Sequence, residues 1–313
     1  MILTVTLNPS VDHALFIEHL KVGDTNRVKR TERDAGGKGV NLARVAAELG
    51  AQTVATGFLG GGPGAYVRRV LERQGVQHRF IEVAGETRIN FSVEDADKNP
   101  PTTFNEQGPE ITAAELQELI AQVEELAPHV EWLAMGGSLP PGVPDDIFAR
   151  LTEIGRRAGC KTVVDADGEP MKLALEARPN MIKPNHKEAA RLLGRPVEST
   201  EEAVGVAREL LNALDQAYGV AVVSRGADGA VLAHQGGVLL AQSPEVQVRS
   251  TIGSGDSMIG GILFALMSGM SLEEAFRWGI AAGAATATTD GSEIARRPVV
   301  LELLERVRIE AVD

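Results

Sequence analysis

The sequence is poor in cysteine, in positive charge and in long hydrophobic runs. Cys160 is the only cysteine among the 313 residues, so an intrachain disulfide is excluded and a reducing cytoplasm is the expected compartment. Asp and Glu outnumber Lys and Arg by 43 to 31, and the net charge of −12 argues against a nucleic-acid or anionic-membrane partner. No apolar run reaches the roughly 18–20 residues of a membrane-spanning helix. The N-terminal residues lack a basic leader and are typical of a strand, so we expect no signal peptide.

Three common site motifs are also missing. There is no Gly-x-x-x-x-Gly-Lys-Ser/Thr segment, which excludes a Walker A phosphate loop. No Gly-x-Gly-x-x-Gly follows the first strand, which disfavours a Rossmann dehydrogenase. The six histidines and the one cysteine are scattered without the spacing of a zinc site. Phosphate chemistry in this acidic chain would therefore depend on other glycine turns and on a local cluster of cations.

Strand-like and helix-like patterns alternate over most of the chain, which predicts an α/β fold. Such alternation gives a mainly parallel, doubly wound sheet with helices on both faces. Two mixed, charged segments, 12–34 and 81–108, are expected to form a small β-sheet lid inserted into a large domain of residues 1–11, 35–80 and 109–313. Ligands in such sheets bind at the carboxyl ends of strands. Polar residues at predicted strand ends therefore indicate one cleft; they are Asp12, Ser138, Asp165, Asn185 and Ser224.

A glycine turn before a helix is the most informative stretch. Gly253, Ser254 and Gly255 precede Asp256 and an apolar helix. We expect both glycines to permit positive φ, so that backbone N–H groups converge on an anion at the helix N-terminus. Asp256 could then accept a proton from a hydroxyl that attacks a phosphoryl group. The alternative is an ordinary Gly-Ser turn whose aspartate caps a core helix.

A second glycine turn, 36–41, also leads into a helix. Gly37 would let the backbone approach a ligand, while Lys38 and Asn41 offer a charge and an amide. Arg27 and Arg88, from the two lid segments, would join Lys38 in binding phosphate, since the arginine fork suits phosphate oxygens. The alternative is a helix-initiating turn with solvated surface charges.

The remaining candidates surround a predicted nucleotide site. Asn185 and Glu188 share a helix face and could serve Mg²⁺ directly or through water, or could simply form a capping box. The turn with Ser224, Gly226 and Gly229 could contact nucleotide phosphates or start a hairpin. Gly283, in a helix of small residues, could line the binding site of an adenine ring, although close helix packing is the favoured interpretation.

Taken in order, these motifs resemble the ribokinase-like (PfkB-type) carbohydrate kinases over essentially the whole chain. The segment 35–41 is similar to the N-terminal signature of that family, and 251–256 is similar to its C-terminal signature. Ser254 is a minor departure from the usual Gly-Ala-Gly-Asp. The segment 185–188 matches the Asn-x-x-Glu motif.

The resemblance implies roles for most of these residues. Asp256 would be the catalytic base, and the 253–255 amides would form the anion hole. ATP and Mg²⁺ would be held by a set of residues around the nucleotide site: Lys183, Asn185, Glu188, Ser224, Gly226, Gly229 and Gly283. The lid would also form a homodimer contact.

Within the family, 6–12, Lys38 and 87–90 point to the branch of 1-phosphofructokinases and tagatose-6-phosphate kinases. The resemblance then implies phosphorylation of a ketohexose phosphate, foremost fructose 1-phosphate, with tagatose 6-phosphate or fructose 6-phosphate as alternatives. A catalytically silent sugar- or nucleotide-binding regulator is disfavoured by the intact Asp256 and Glu188. The implied substrate-binding residues are Asp12, Arg27, Gly37, Lys38, Asn41, Arg88, Asn90 and Ser138.

Overall fold

Apolar strands that are buried on both faces form the centre of the molecule. The computed structural model describes residues 1–95 and 98–312. The strands are β1 Ile2–Thr6, β2 Ser10–Ile17, β3 Arg30–Gly36, β4 Thr53–Leu59, β5 Gln77–His78, β6 Ile81–Glu82, β7 Arg88–Asp95, β8 Lys98–Asn105, β9 Trp132–Gly136, β10 Lys161–Asp165, β11 Met181–Ile182, β12 Val220–Ser224, β13 Ala230–His234, β14 Gly237–Gln242 and β15 Arg308–Val312.

Helices alternate with these strands. They are α1 Lys38–Leu49, α2 Gly61–Arg73, α3 Ala113–Leu126, α4 Ile147–Ala158, α5 Gly168–Glu176, α6 His186–Leu193, α7 Thr200–Leu211, α8 Ser254–Met267, α9 Leu272–Ala287 and α10 Arg297–Leu304, with 3-10 turns at Ala127–His129 and Gly226–Asp228. Within the described residues, no helix has both the length and the apolar character to cross a membrane.

The large sheet has the order β15-β14-β13-β12-β11-β10-β9-β1-β4-β5, with β6 also beside β4. Strands β4, β1, β9, β10, β11 and β12 run parallel, whereas β13, β14 and β15 pair antiparallel at one edge. Successive residues of one strand enter different cores: Leu3 packs with α3 and α4, and Ile2 packs with α1 and α8. Helices thus cover both faces, and the predicted α/β class is confirmed.

A separate four-stranded sheet has the order β3-β2-β7-β8. Its strands come from the two segments that we expected to form a lid. Two details differ from the expectation. Ile81–Glu82, inside the predicted lid range, pairs with β4 of the large sheet, and Asp12 lies within β2 rather than in a turn beyond a strand. The division into two domains stays a prediction.

Local signals fix several helix ends. The sequence Thr112-Ala113-Ala114-Glu115 predicts a capping box, and these two end residues form it at the start of α3. Gly50 ends α1 in the left-handed conformation. The glycines of segment 60–64 predict a loop, but α2 begins at Gly61. Packing of the buried Val67, Val70 and Leu71 against the small sheet and α1 outweighs the low helix propensity of glycine here.

Candidate active site

One cavity of about 890 Å³ lies at the carboxyl ends of β10 and β12, beside the N-terminus of α8. This is where an open parallel sheet is expected to bind a ligand. All of the predicted nucleotide-site and catalytic residues line it, and so does Lys38, which was predicted to bind the substrate; the first group is Lys183, Asn185, Glu188, Ser224, Gly226, Gly229, Gly253, Ser254, Gly255, Asp256 and Gly283. The cavity therefore brings together residues that are more than 200 positions apart in sequence.

The two glycines before Asp256 are glycines for different reasons. Gly253 caps α8 with φ of 77°, in the left-handed region, as expected. Gly255 does not have a positive φ, which corrects the sequence interpretation. A Cβ at Gly255 would lie 2.8 Å from Lys183 Nζ, so the lysine ammonium occupies the space of a side chain. Ser254 Oγ is buried, has no hydrogen-bond partner within residues 1–95 and 98–312, and lies in the cavity wall, which suits a bound anion.

Asp256 is the buried carboxylate of the first turn of α8, with 8% of its surface exposed. Asn41 Nδ2 donates to Asp256 Oδ2 at 2.9 Å. Burial raises the pKa of Asp256 to about 6, helped by the negative charge of Asp165 and opposed by Lys38, by the Asn41 hydrogen bond and by Lys183. A carboxylate with this pKa is ionised at pH 7.5 and is basic enough to take a proton from a hydroxyl.

Asp165 was noted only as a strand-end residue, but the structure makes it the centre of a charge cluster. Lys38 Nζ donates to its Oδ1 at 2.9 Å, and Lys183 Nζ lies 3.5 Å from its Oδ2. Burial alone would raise the pKa of Asp165, but the two ammonium groups outweigh it and lower the pKa. Burial likewise opposes the charge of Lys38, but Asp165, Asp256 and Glu188 together raise its pKa. Lys38 is therefore held charged in the cavity.

Asn185 and Glu188 form the capping box of α6. Asn185 Oδ1 accepts from the backbone N–H groups of Lys187 and Glu188, and Glu188 Oε2 accepts from the Asn185 N–H at 2.8 Å. Glu188 Oε1 has no hydrogen bond among the described residues. No group of three or more acidic, His or Cys side chains that could hold a metal is found there either. Mg²⁺ usually takes one or two carboxylates and completes its shell with water and phosphate oxygens, so one free carboxylate oxygen fits that ion.

Two of the other three predicted nucleotide-site glycines, Gly229 and Gly283, are also required by packing. Gly229 has φ of 84°, and a Cβ there would collide with the Ala241 carbonyl of β14, so the hairpin itself requires glycine. Gly226 also has a positive φ, of 62°, but faces open space. A Cβ at Gly283 would lie 3.1 Å from the Ser254 carbonyl, which agrees with close packing of α9 on α8.

Asp12 and Asn90 meet on neighbouring strands of the small sheet. Asn90 Nδ2 and Ser10 Oγ both donate to Asp12 Oδ1, at 3.0 and 2.7 Å. The Asp12 carboxylate lies against Gly36, where a Cβ would collide with it, and Gly37 follows with φ of 110°. The glycine run thus lets a carboxylate of the small sheet approach the start of α1.

Arg88 and Ser138 meet at Asn8, a residue that the sequence analysis missed. Arg88 donates from Nε to the Asn8 carbonyl at 3.2 Å and from Nη1 to the Glu106 carbonyl at 3.1 Å, while Asn8 Nδ2 donates to Ser138 Oγ at 3.2 Å. Burial lowers the pKa of Arg88, against the opposing charges of Asp12 and Glu106. Asn8 Oδ1 is buried and accepts no hydrogen bond in the part of the chain that the structure describes. The Asn-Pro turn directly after β1 was the signal that could have indicated Asn8.

Arg27 is not brought to these residues. It lies on the exposed loop between β2 and β3 and lines neither the 890 Å³ cavity nor a second cavity of about 480 Å³ beside Asp12.

Comparisons with known proteins agree over the full length. Residues 5–297 match the profile of the pfkB family carbohydrate kinases. The chain is 34% identical over 309 residues to a 1-phosphofructokinase of Bacillus subtilis (strain 168), covering 99% of each protein. The structure resembles phosphofructokinase-2 from Escherichia coli in complex with substrates and products, with a TM-score of 0.90, 29% identity and coverage of 97% and 98%. It also resembles Arabidopsis thaliana ribokinase complexed with ribose and ATP, with a TM-score of 0.79, 25% identity and the same coverage.

Proposed function

This chain belongs to the PfkB family of carbohydrate kinases, and we propose that it transfers the γ-phosphoryl group of ATP to fructose 1-phosphate, giving fructose 1,6-bisphosphate. Membership makes the protein a phosphotransferase with an alcohol group as acceptor, with ATP as its co-substrate, as the motifs predicted. The observation that carries the proposal is the buried Asp256, placed in the first turn of α8 and held by Asn41.

In the proposed reaction, Asp256 takes the proton of the primary hydroxyl as its oxygen forms a bond to the γ-phosphorus. The bond from that phosphorus to the β-phosphate oxygen breaks, and ADP leaves with the electron pair. The N-terminus of α8 and the Lys183 ammonium would stabilise the negative charge on the transferring group. Lys38 is bound to Asp165 in the same cavity, so we propose it for the transferring group too, although the sequence suggested the phosphate already on the sugar.

Mg²⁺ would enter with ATP and neutralise phosphate charge. Glu188 and Asn185 are the side chains that we propose would hold it through water. The helix cap leaves Glu188 in place whether or not the ion is bound, because its Oε2 is already fixed by the Asn185 N–H.

For the phosphate already on the sugar, we propose Arg88. Its guanidinium donates to two backbone carbonyls, and no carboxylate hydrogen bond neutralises it among the described residues. Asp12, Asn41, Asn90 and Ser138 would contact sugar hydroxyls, and Gly37 would allow the close approach. Arg27 could contribute only after the β2–β3 loop changes its position or from a second copy of the chain.

The alternative substrates differ in where the phosphate sits. Phosphofructokinase-2 from Escherichia coli, 29% identical to this chain, has been crystallised in complex with fructose 6-phosphate. That makes fructose 6-phosphate the first alternative, with tagatose 6-phosphate beside it.

We also propose that two copies of the chain form a homodimer through the lid. The phosphofructokinase-2 of Escherichia coli is known in a tetrameric inhibited form, so the number of subunits in this protein has to be measured.

The decisive test is ADP release with Mg·ATP and one of four acceptors: fructose 1-phosphate, fructose 6-phosphate, tagatose 6-phosphate and free fructose. We expect the highest kcat/KM with fructose 1-phosphate. A clear preference for a 6-phosphate would keep the mechanism and change the substrate. Turnover of free fructose alone would contradict the phosphate-binding role of Arg88.

Replacing Arg88 tests the phosphate role directly. We expect Arg88→Ala to raise KM for the phosphosugar about 10- to 100-fold, because a charge-assisted contact contributes about 1.5–3 kcal/mol, while KM for ATP is unchanged. Arg79→Ala is the control, since that exposed arginine pairs with Glu125 on the surface. An effect of Arg88→Ala confined to ATP would refute the assignment.

A further inference from the structure

Arg44 is the largest charged side chain in the core, with 2% of its surface exposed. It lies on α1, one helical turn after Asn41. Burying a guanidinium is unfavourable unless its donors are satisfied, so a fully enclosed arginine calls for an account of every N–H group.

All five N–H groups of Arg44 have an acceptor. Nη2 donates to both carboxylate oxygens of Asp34, at 2.8 and 2.7 Å, and Nε donates to Gln74 Oε1 at 2.8 Å. Nη1 donates to the Ala35 carbonyl at 2.6 Å and to Asn41 Oδ1 at 3.5 Å. Asp34 and Ala35 belong to β3 of the small sheet, and Gln74 caps α2. One side chain therefore joins the small sheet, two helices and Asn41.

The contact with Asn41 fixes which way its amide faces. Asn41 is buried, with 3% of its surface exposed, and its Nδ2 donates to Asp256. Among the described residues, Arg44 is the only side chain that donates to Oδ1. A flipped amide would put its NH₂ against the guanidinium and its oxygen against the carboxylate, so both contacts would become repulsive.

We propose that Arg44 is a positioning residue that sets the orientation of the Asn41 amide, and through it the position of the Asp256 carboxylate, while tying both to strand β3 of the small sheet. The inference rests on the proposed role of Asp256 as the base. Arg44 itself touches neither the 890 Å³ cavity nor Asp256. A change in the position of β3 would therefore change the position of Asp256, because Asp34 contacts Arg44, Arg44 contacts Asn41, and Asn41 contacts Asp256.

Arg44→Lys keeps the charge but offers three donors to five acceptors, so the amide is no longer fixed. We expect kcat to fall about 10-fold, because a small displacement of the base is costly, with KM for ATP unchanged. The Asn41 hydrogen bond lowers the pKa of Asp256. Its loosening should therefore move the acid limb of kcat/KM about 0.5 unit to higher pH.

The other charges that face Asp256 are Lys38 on α1, Asp165 on β10 and Lys183 after β11. Arg44→Lys leaves all three in place, so a shift of the acid limb reports on Asn41. Arg79→Lys, an exposed arginine paired with Glu125, is the matched control and should leave the profile unchanged.

A double-mutant cycle separates positioning from general destabilisation. If Arg44 acts through Asn41, then adding Arg44→Lys to Asn41→Ala leaves the acid limb where Asn41→Ala puts it. Additive shifts, or an unmoved acid limb in Arg44→Lys, would overturn the proposal. If Arg44→Lys does not fold, Asp34→Asn is the second variant, because it weakens the ion pair that holds Arg44 to β3. The same two results, additive shifts or an unmoved acid limb, would again overturn the proposal. Near-normal turnover by Asp256→Asn would instead contradict the proposed role of Asp256 as the base. That result is distinct from the two that would overturn the role of Arg44.

Discussion

Strand β10 and helix α8 each contribute one buried aspartate to the same cavity, and the two behave oppositely. Asp165 and Asp256 are 3% and 8% exposed, so both are removed from water. The pKa of Asp165 is lowered, whereas that of Asp256 is raised to about 6. Burial favours the neutral form of both carboxyls. The difference comes from their partners, since Asp165 faces two ammonium groups and Asp256 accepts from a neutral amide.

This comparison separates two jobs that the same residue type can do. A carboxylate held ionised by two lysines has a low pKa and is a poor base, but it holds the two ammonium groups in place. A carboxylate that is buried with a neutral donor keeps enough basicity to accept a proton near neutral pH. In the proposed mechanism the base of the cavity is therefore on α8, and the carboxylate that binds the two lysines is on β10.

Asp256→Asn gives the largest expected effect. It keeps the shape of the side chain and removes the proton acceptor, so we expect kcat to fall by about 10³-fold or more, with ATP binding retained. ADP release measures the first quantity and titration calorimetry with an ATP analogue the second. Asp167→Asn is the control, because that exposed aspartate pairs with Arg191 at the surface. Turnover within a few-fold of the parent protein would show that the base lies elsewhere.

The same two residues should change stability in opposite directions. Asp165→Asn leaves the buried Lys183 without its counter-charge, and we expect the free energy of unfolding to fall by about 3–5 kcal/mol. Asp256 has a folded-state pKa raised above its unfolded value. Its contribution to stability is therefore fully present below pH 3.8 and is lost as the pH rises through about 6.

At pH 8 the ionised Asp256 consequently destabilises the fold, by up to about 3 kcal/mol for a shift of this size. Asp256→Asn should therefore raise the free energy of unfolding at pH 8 and lose most of that gain at pH 4. Denaturant unfolding at both pH values measures it. Loss of stability in both variants at pH 8 would contradict the comparison.

The sequence predicted best what local spacing and strand ends determine. The capping boxes at Thr112 and Asn185 and the start of α8 follow from short-range patterns. Of the five predicted strand-end residues, Asp165, Asn185 and Ser224 line one cavity, whereas Asp12 and Ser138 do not line it. The alternation of strands and helices was enough for the α/β class.

What it missed depends on contacts between distant residues. The pairing of Asp165 with Lys38 spans 127 positions, and the reason for Gly255 is Lys183. The role of Asn8 needed Arg88 and Ser138 beside it. The Asn-Pro turn marks Asn8 itself, but the partners in all of these contacts are distant in sequence, so the contacts appear only once the sheet order is known.

The smallest predicted effect is a shift of the acid limb, and it tests whether Asp165 acts on Asp256 through its charge. The parent enzyme should lose kcat/KM as the pH falls through about 6, since Asp256 becomes protonated. A phosphate group on the substrate also titrates near pH 6, so the informative quantity is the difference between two enzymes on the same substrate. The negative charge of Asp165 raises the pKa of Asp256, and Asp165→Asn should move the limb to lower pH, by about one unit or less. Rate profiles from pH 5 to 8.5 at constant ionic strength measure this difference. A shift to higher pH would mean that Asp165 acts on Asp256 chiefly by holding Lys38 and Lys183 in place.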